Sequence, residues 1–199
     1  MSGGVLGAAA SGSALLLAGA DRALHLYDLR SLQQPLSSTT SPLLHQTSAV
    51  ALSASGEAVA LASVAGHIKA QPLASLAQGG ATTSSVKSLT CHRLDKSSGR
   101  CTQRGGVPFP VNALQWCPAA AREPLLASGG GDGSVVVWVT AQVRSVLQRE
   151  NLGAAVTAVA WNPAGSHLLY AAGEDGAQSS SSDAPAAAAQ ATLRLMQVV

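Results

Sequence analysis

The feature that most constrains this sequence is an internal repeat in its second half. The segment 111–118 (VNALQWCP) aligns with the segment 156–163 (VTAVAWNP) at an offset of 45 residues, and Val, Ala, Trp and Pro coincide at four positions. Both segments alternate apolar and other residues, the pattern of a strand with one buried face. Both end in proline, which has no N–H to donate to a sheet and therefore ends a strand. The repeat predicts two equivalent strands in two successive units.

A second pair of segments repeats in the first half at an offset of 44 residues. Ser11-Gly12 aligns with Ser55-Gly56, and Leu24 aligns with Ile68. Between them, Leu15, Leu17 and Ala18 align with Val59, Leu61 and Ala62. Periods of this length that contain strands rather than helices are typical of WD-repeat propeller blades. We therefore predict an all-β fold, a WD-repeat β-propeller with about three and a half blades present as a partial ring.

The repeats divide the chain into four predicted units. These are a partial blade over 1–36, a blade with an outer-strand extension over 45–104, a blade over 107–150, and a last blade over 153–199. The last blade contains a predicted disordered insertion over 173–191, because that segment is low in complexity and has nothing to bury.

Strand pairs within the blades follow from short apolar runs separated by turn residues. Pairs are predicted at 14–20 with 23–29, 57–64 with 67–73, 125–128 with 134–139, and 168–172 with 192–199. Asp132-Gly133 predicts a tight hairpin, because both residues tolerate the positive φ of a type I′ turn. The three tryptophans fall on the buried strand pattern and are predicted to anchor blade cores: Trp116, Trp138 and Trp161.

Composition and motifs argue against an enzyme, a metal site and a nucleic-acid-binding protein. Charged residues make up 11% of the chain and the net charge is +2, which disfavours nucleic-acid or anionic-membrane binding. The glycine run 129–133 leads into a strand, whereas a phosphate loop leads into a helix. The odd set Cys91, Cys101 and Cys117 contains no C-x-x-C pair, which predicts no metal site and a reducing compartment. We predict no enzyme activity, no cofactor and no membrane segment.

The most informative polar motif is Thr90-Cys91-His92-Arg93, which follows an apolar strand start. A guanidinium can hold a carboxylate through two hydrogen bonds, so His92 and Arg93 predict a site for acidic peptide residues. An exposed outer strand with a solvated histidine and arginine is the alternative.

Several segments together resemble one branch of WD-repeat proteins. They are 26–30 (LYDLR), 91–93 (CHR), 110–114 (PVNAL) and 130–138 (GGDGSVVVW), in the order of that family. The branch comprises the spindle-checkpoint propeller of the budding-uninhibited-by-benzimidazole group and its sister, the messenger-RNA-export propeller of the nuclear pore. Both bind short GLEBS segments of partner proteins. The segment 110–113 favours the checkpoint member.

The resemblance implies a non-enzymatic scaffold that grips GLEBS glutamates through Arg93, His92 and His67. His67 stands in Gly66-His67-Ile68, where the family has Gly-Arg-Val, and a neutral imidazole holds an anion more weakly than a guanidinium. The implied partners are GLEBS proteins of the checkpoint-kinase or nucleoporin type. The implied location is the nucleus and kinetochore, with the cytoplasm as a second location.

Other interpretations remain open at this stage. They are an export-type propeller, a truncated WD-repeat adaptor of other function, an RNA-contacting adaptor, and a truncated product without function. The family builds seven blades, so a partial ring is closed either by homo-oligomerisation or by blades that this chain lacks.

Overall fold

The computed structural model describes residues 4–77, 87–90, 92–94, 106–119, 124–149, 154–173 and 192–198. These residues form four antiparallel sheets, one two-stranded ribbon and one short helix, which confirms the all-β prediction. Among them, no helix is long and apolar enough to cross a membrane.

The strands follow one another in sequence order within every sheet. The first sheet contains β1 (Val5–Ser11), β2 (Ala14–Gly19), β3 (Ala23–Asp28) and β4 (Ser37–Thr40). The second contains β5 (Thr47–Leu52), β6 (Ala58–Ser63), β7 (His67–Pro72) and β8 (Lys87–Thr90), with helix α1 (Leu73–Ala77) after β7. A ribbon pairs β9 (Arg93–Leu94) with β10 (Val107–Pro108). The third sheet contains β11 (Val111–Trp116), β12 (Leu125–Gly130), β13 (Val135–Val139) and β14 (Arg144–Arg149). The fourth contains β15 (Val156–Trp161), β16 (His167–Ala172) and β17 (Thr192–Gln197).

All four predicted strand pairs are confirmed, as β2 with β3, β6 with β7, β12 with β13, and β16 with β17. The predicted tight turn at Asp132-Gly133 is also present, but only Gly133 has a positive φ, of 73°, so the turn is not of type I′. The first sheet has four strands and continues to Thr40, whereas a partial blade was predicted over 1–36. Apart from Gly173, the predicted insertion 173–191 lies outside the described residues.

The four sheets pack face to face in chain order. Their first strands lie side by side, because β1 contacts β5, β5 contacts β11, and β11 contacts β15. Alternating apolar residues therefore fill three successive cores, one between each pair of neighbouring sheets. Many of these core positions hold alanine or valine, so that the sheets can approach closely.

Tryptophans tie neighbouring sheets together. Trp116 is buried and donates its indole N–H to the Ala51 carbonyl of the preceding sheet at 3.2 Å. Trp161 repeats this bond one sheet later, to the Gln115 carbonyl at 3.2 Å. Trp138 is buried as well, which confirms all three as core residues. The repeat at an offset of 45 residues is thus a repeat of one contact between sheets.

One buried side chain lacks hydrogen bonds within the described part of the chain. Gln71 is 3% exposed, and both polar atoms of its amide are without a partner there. It pairs with Val59, which packs in the core between the first and second sheets. Gln71 therefore places an unsatisfied amide in apolar surroundings.

We expect Gln71→Met to raise the free energy of unfolding by about 1–2 kcal/mol, because an unsatisfied buried polar group costs roughly this much. Urea unfolding followed by circular dichroism measures the change. Gln115→Met is the matched control, since the Gln115 side-chain oxygen accepts the Trp161 backbone N–H at 2.6 Å and its loss should destabilise. Destabilisation by both substitutions would show that the Gln71 amide has hydrogen-bond partners.

Candidate functional site

The His92 side chain lies at the centre of a buried chain of hydrogen bonds. Trp138 donates its indole N–H to Ser128 Oγ at 3.0 Å, and Ser128 Oγ lies 2.9 Å from His92 Nε2. His92 Nδ1 is 2.9 Å from Asp132 Oδ1, and the Ser134 hydroxyl donates to Asp132 Oδ2 at 2.7 Å. Because an ionised carboxylate only accepts hydrogen bonds, His92 Nδ1 donates to Asp132. We call these five residues the polar network.

The Asp132 carboxylate is held in its charged form by this network. Burial raises the pKa of Asp132, but the hydrogen bond and charge of His92 and the hydrogen bonds from Ser134 lower it. The net pKa is below 3.8. The carboxylate is therefore an acceptor at neutral pH and fixes the turn between β12 and β13.

The expectation that His92 contacts a bound peptide is wrong. Its side chain is 0% exposed, and both ring nitrogens are occupied within the polar network. His92 also has a positive φ of 57°, which turns the chain between β8 and β9. Its role is structural: it fixes the start of β9 to the third sheet and thereby positions Arg93.

Arg93 is the first residue of β9, directly after this anchor. It pairs with Pro108 of β10, and its Nη2 is 3.5 Å from the Gly106 carbonyl. The side chain is half-buried. A guanidinium that is partly open to solvent can bind a carboxylate.

His67 begins β7 and is also half-buried. Its ring stacks on the ring of His45, with centroids 6.4 Å apart and an interplanar angle of 8°. Burial lowers the pKa of His67 below 6.5, and the positive charges of Arg93, His45 and Lys69 lower it further. His67 pairs with Thr90 of β8, three residues before Arg93, so the structure brings together two of the three predicted residues.

Two further basic residues join them. His45 lies in the connection between β4 and β5, and Lys69 lies two residues after His67 on the same strand face. The Lys69 Nζ donates to the Pro42 carbonyl at 2.7 Å. We call His45, His67, Lys69 and Arg93 the basic cluster. The period-2 pattern of β7 could have indicated Lys69, but no sequence signal indicates His45, because folding alone brings it to His67.

The basic cluster has the chemistry of an anion site. All the charged groups that shift the pKa of His67 are basic. In the part of the chain that the structure describes, no three His, Cys, Asp or Glu side chains are grouped to hold a metal ion.

Comparison with protein families identifies the repeat. The model of the WD domain, G-beta repeat, matches residues 99–139 and 144–177. With the four successive antiparallel sheets, these matches define the fold class: the described sheets form a partial ring of a WD-repeat β-propeller.

The curated proteins that are similar to this chain are named as mitotic checkpoint proteins. The chain is 28% identical over 158 residues to the mitotic checkpoint protein bub-3 of Caenorhabditis elegans, covering 79% of this chain and 43% of that protein. It is 29% identical over 160 residues to the mitotic checkpoint protein BUB3.1 of Arabidopsis thaliana, covering 80% and 44%. The predicted resemblance to the spindle-checkpoint branch is confirmed. The chain spans less than half the length of these relatives.

Solved structures agree on the fold. A chain of the mitotic checkpoint complex matches with a TM-score of 0.60 and 19% identity, covering 83% of this chain and 45% of that chain. The computationally designed Ika4 protein matches with a TM-score of 0.64 and 15% identity, covering 100% and 94%. This chain therefore aligns with nearly the whole of the Ika4 chain, but with less than half of the chain from the mitotic checkpoint complex.

Proposed function

We propose that this chain is a non-enzymatic scaffold of the mitotic checkpoint that binds GLEBS-type peptides of checkpoint kinases through its basic cluster. The observation that carries the proposal is the strand pairing of His67 with Thr90, three residues before Arg93, which places both basic residues at one end of the second sheet. The names of the similar mitotic checkpoint proteins support a checkpoint role, and such a role implies the nucleus and kinetochore.

The geometry of the cluster favours glutamate side chains as the ligand. Arg93 carries a permanent charge on a planar group that can bind a carboxylate through two hydrogen bonds. His67 and Lys69 add a second point of contact on β7. Two separated contacts select for a peptide with more than one acidic residue, rather than for a single anion.

The first test is a calorimetric titration of the purified chain with a checkpoint-kinase GLEBS peptide. We expect Arg93→Glu to weaken binding about 10-fold to 100-fold, because charge reversal removes a charge-assisted hydrogen bond of about 1.5–3 kcal/mol and adds repulsion. Arg194→Glu is the matched control, since Arg194 is exposed on β17 of the fourth sheet.

The outcomes separate the site from the fold. Equal affinity of the wild type and Arg93→Glu would remove Arg93 from the site. Equal losses in Arg93→Glu and Arg194→Glu would indicate a nonspecific effect of charge. A nucleoporin GLEBS peptide titrated in parallel distinguishes the checkpoint type from the export type of partner.

We expect binding of the peptide to strengthen as the pH falls from about 7.5 to about 5.5. The lowered pKa keeps His67 neutral at pH 7, and acidification below 6.5 adds its positive charge while glutamates remain ionised. The lowered pKa of His67 also affects the stability of the free protein. Because the folded protein disfavours the charged imidazole, the free energy of unfolding falls as the pH drops through the same range.

His67→Arg is the matched variant for this pH dependence. It restores the arginine of the family at this position, so we expect tighter binding at pH 7 and a flatter pH profile. The His45 ring stacks on His67, so His45→Gln measures the contribution of this contact to the pH profile. A pH profile that is unchanged in His67→Arg would exclude His67 as the source.

A further inference from the structure

The connection between β4 and β5 carries two neighbouring leucines in opposite environments. Leu43 is 1% exposed and packs in the core between the first and second sheets, whereas Leu44 is 85% exposed. The next residue, His45, belongs to the basic cluster. A single exposed leucine is common on protein surfaces and needs no function to explain it. Leu44 differs because its backbone is held in place and because a second exposed apolar residue lies nearby.

Side chains from both neighbouring sheets hold the backbone on which Leu44 stands. Lys69 Nζ of the second sheet donates to the Pro42 carbonyl at 2.7 Å. Arg22 Nη2, from the turn between β2 and β3, donates to the Leu43 carbonyl. The connection is therefore ordered before any ligand arrives, so a ligand that covers Leu44 does not have to immobilise it.

The second exposed apolar residue is Val64, in the turn between β6 and β7. It is 42% exposed and lies three residues before His67. Its backbone N–H donates to the Gln46 carbonyl at 3.1 Å, two residues after Leu44. The turn and the connection therefore lie side by side at the end of the second sheet that carries the basic cluster. Both residues lie at strand ends, away from the faces through which the sheets pack, so no sheet of the ring covers them.

The surroundings of these two residues define the chemistry of a ligand that would cover them. The charged groups that act on His67 are all basic, so the ligand is acidic. An anion without apolar groups would leave Leu44 and Val64 in water, whereas a large apolar side chain would remove both from it. A peptide segment that carries glutamates and a large apolar side chain matches both parts of the surface.

We propose that Leu44 and Val64 form an apolar contact beside the basic cluster, and that this contact selects acidic peptides with a large apolar side chain next to their glutamates. The inference rests on the proposed function, because it assigns the apolar part of the ligand of the same site. The basic cluster attracts any acidic segment, and attraction of this kind mainly raises the rate of association. Burial of the apolar side chain then distinguishes one acidic segment from another.

Calorimetric titration with two forms of the checkpoint-kinase GLEBS peptide tests this contact. One form is native, and the other has serine in place of each large apolar residue, so that both carry the same charge. We expect Leu44→Ser to weaken binding of the native form about 5-fold to 10-fold, because partial burial of a leucine side chain contributes roughly this factor. Val64→Ser should weaken it less, since less of Val64 is exposed. The serine form should bind the wild type and Leu44→Ser equally.

Leu36→Ser is the matched control. Leu36 is 65% exposed in the connection between β3 and β4, at the opposite end of the first sheet from Leu44. Its replacement should leave the affinity for both peptide forms unchanged. Because both leucines are exposed, neither serine should unfold the chain, and circular dichroism verifies this.

The outcomes separate the apolar contact from the proposed function. Unchanged affinity in Leu44→Ser, together with a loss in Arg93→Glu, would overturn the apolar contact and leave the proposed function intact. Equal losses in Leu44→Ser and Leu36→Ser, or an equal loss with the serine form, would also overturn it, since neither result depends on apolar groups of the peptide. No binding of either form by the folded wild type would overturn both proposals.

A membrane surface is the other ligand that combines negative charge with apolar groups. Sedimentation with vesicles of phosphatidylserine and phosphatidylcholine distinguishes it from a peptide. We expect the wild type to remain in the supernatant. Vesicle binding that Leu44→Ser abolishes, with an unchanged affinity for the native peptide, would overturn the peptide contact and assign Leu44 to a lipid surface.

Discussion

Replacement of Asp132 by alanine is expected to lower the free energy of unfolding by about 3–5 kcal/mol. The carboxylate accepts from Ser134 and bonds His92, and all of these groups are buried. Its removal deprives the Nδ1 proton of His92 of its charged acceptor and leaves only the Ser134 hydroxyl, 3.0 Å away, in a region that water does not reach. Guanidinium unfolding followed by circular dichroism measures the loss.

Asp21→Ala is the matched control for this experiment. Asp21 accepts the backbone N–H of Ala23 at 3.1 Å, just as Asp132 accepts that of Ser134 at 3.2 Å. Asp21 is exposed, however, and has no buried histidine as partner. The difference between the two variants therefore isolates the polar network from the turn, and equal losses would show that the network contributes nothing to stability.

The pH dependence of this difference has a definite sign. Because the folded-state pKa of Asp132 is below 3.8, its stabilising contribution is fully present above the unfolded value of about 3.9. It is lost as the pH falls through the folded-state pKa. The gap in stability between the wild type and Asp132→Ala should therefore narrow in acid.

Much of the fold could be predicted because its signal is local. The repeated strands at 111–116 and 156–161 show their buried face through alternation, and the proline that follows each one ends it. The turn residues Asp132 and Gly133 predict the hairpin at this position. The indole bonds of Trp116 and Trp161 explain why the repeat retains a tryptophan at this position.

The site was harder to predict because its contacts join distant segments. His92 and Arg93 are neighbours in the sequence and were given one role, yet the positive φ of His92 turns its ring into the core. The partners of that ring lie 36 to 42 residues later, on the third sheet. His45 reaches His67 only because β5 pairs with β6 beside the turn that leads into β7. Sequence periodicity describes one strand at a time and carries no such information.

We expect Gly130→Ala to lower the free energy of unfolding by about 3 kcal/mol, at the upper end of the cost of overpacking a core. A Cβ at Gly130 would overlap His92 Nδ1 and Asp132 Oδ1, so the polar network would have to separate.

Gly131→Ala is the matched control, because its Cβ would lie 3.1 Å from ring carbons of Pro110, which is only half-buried. Neither glycine has a positive φ, so backbone strain does not distinguish them. Thermal unfolding of both variants measures the difference, and a tolerated Gly130→Ala would mean that the His92 ring has room to move. Since His92 positions Arg93, Gly130→Ala should also weaken peptide binding at temperatures where the chain remains folded.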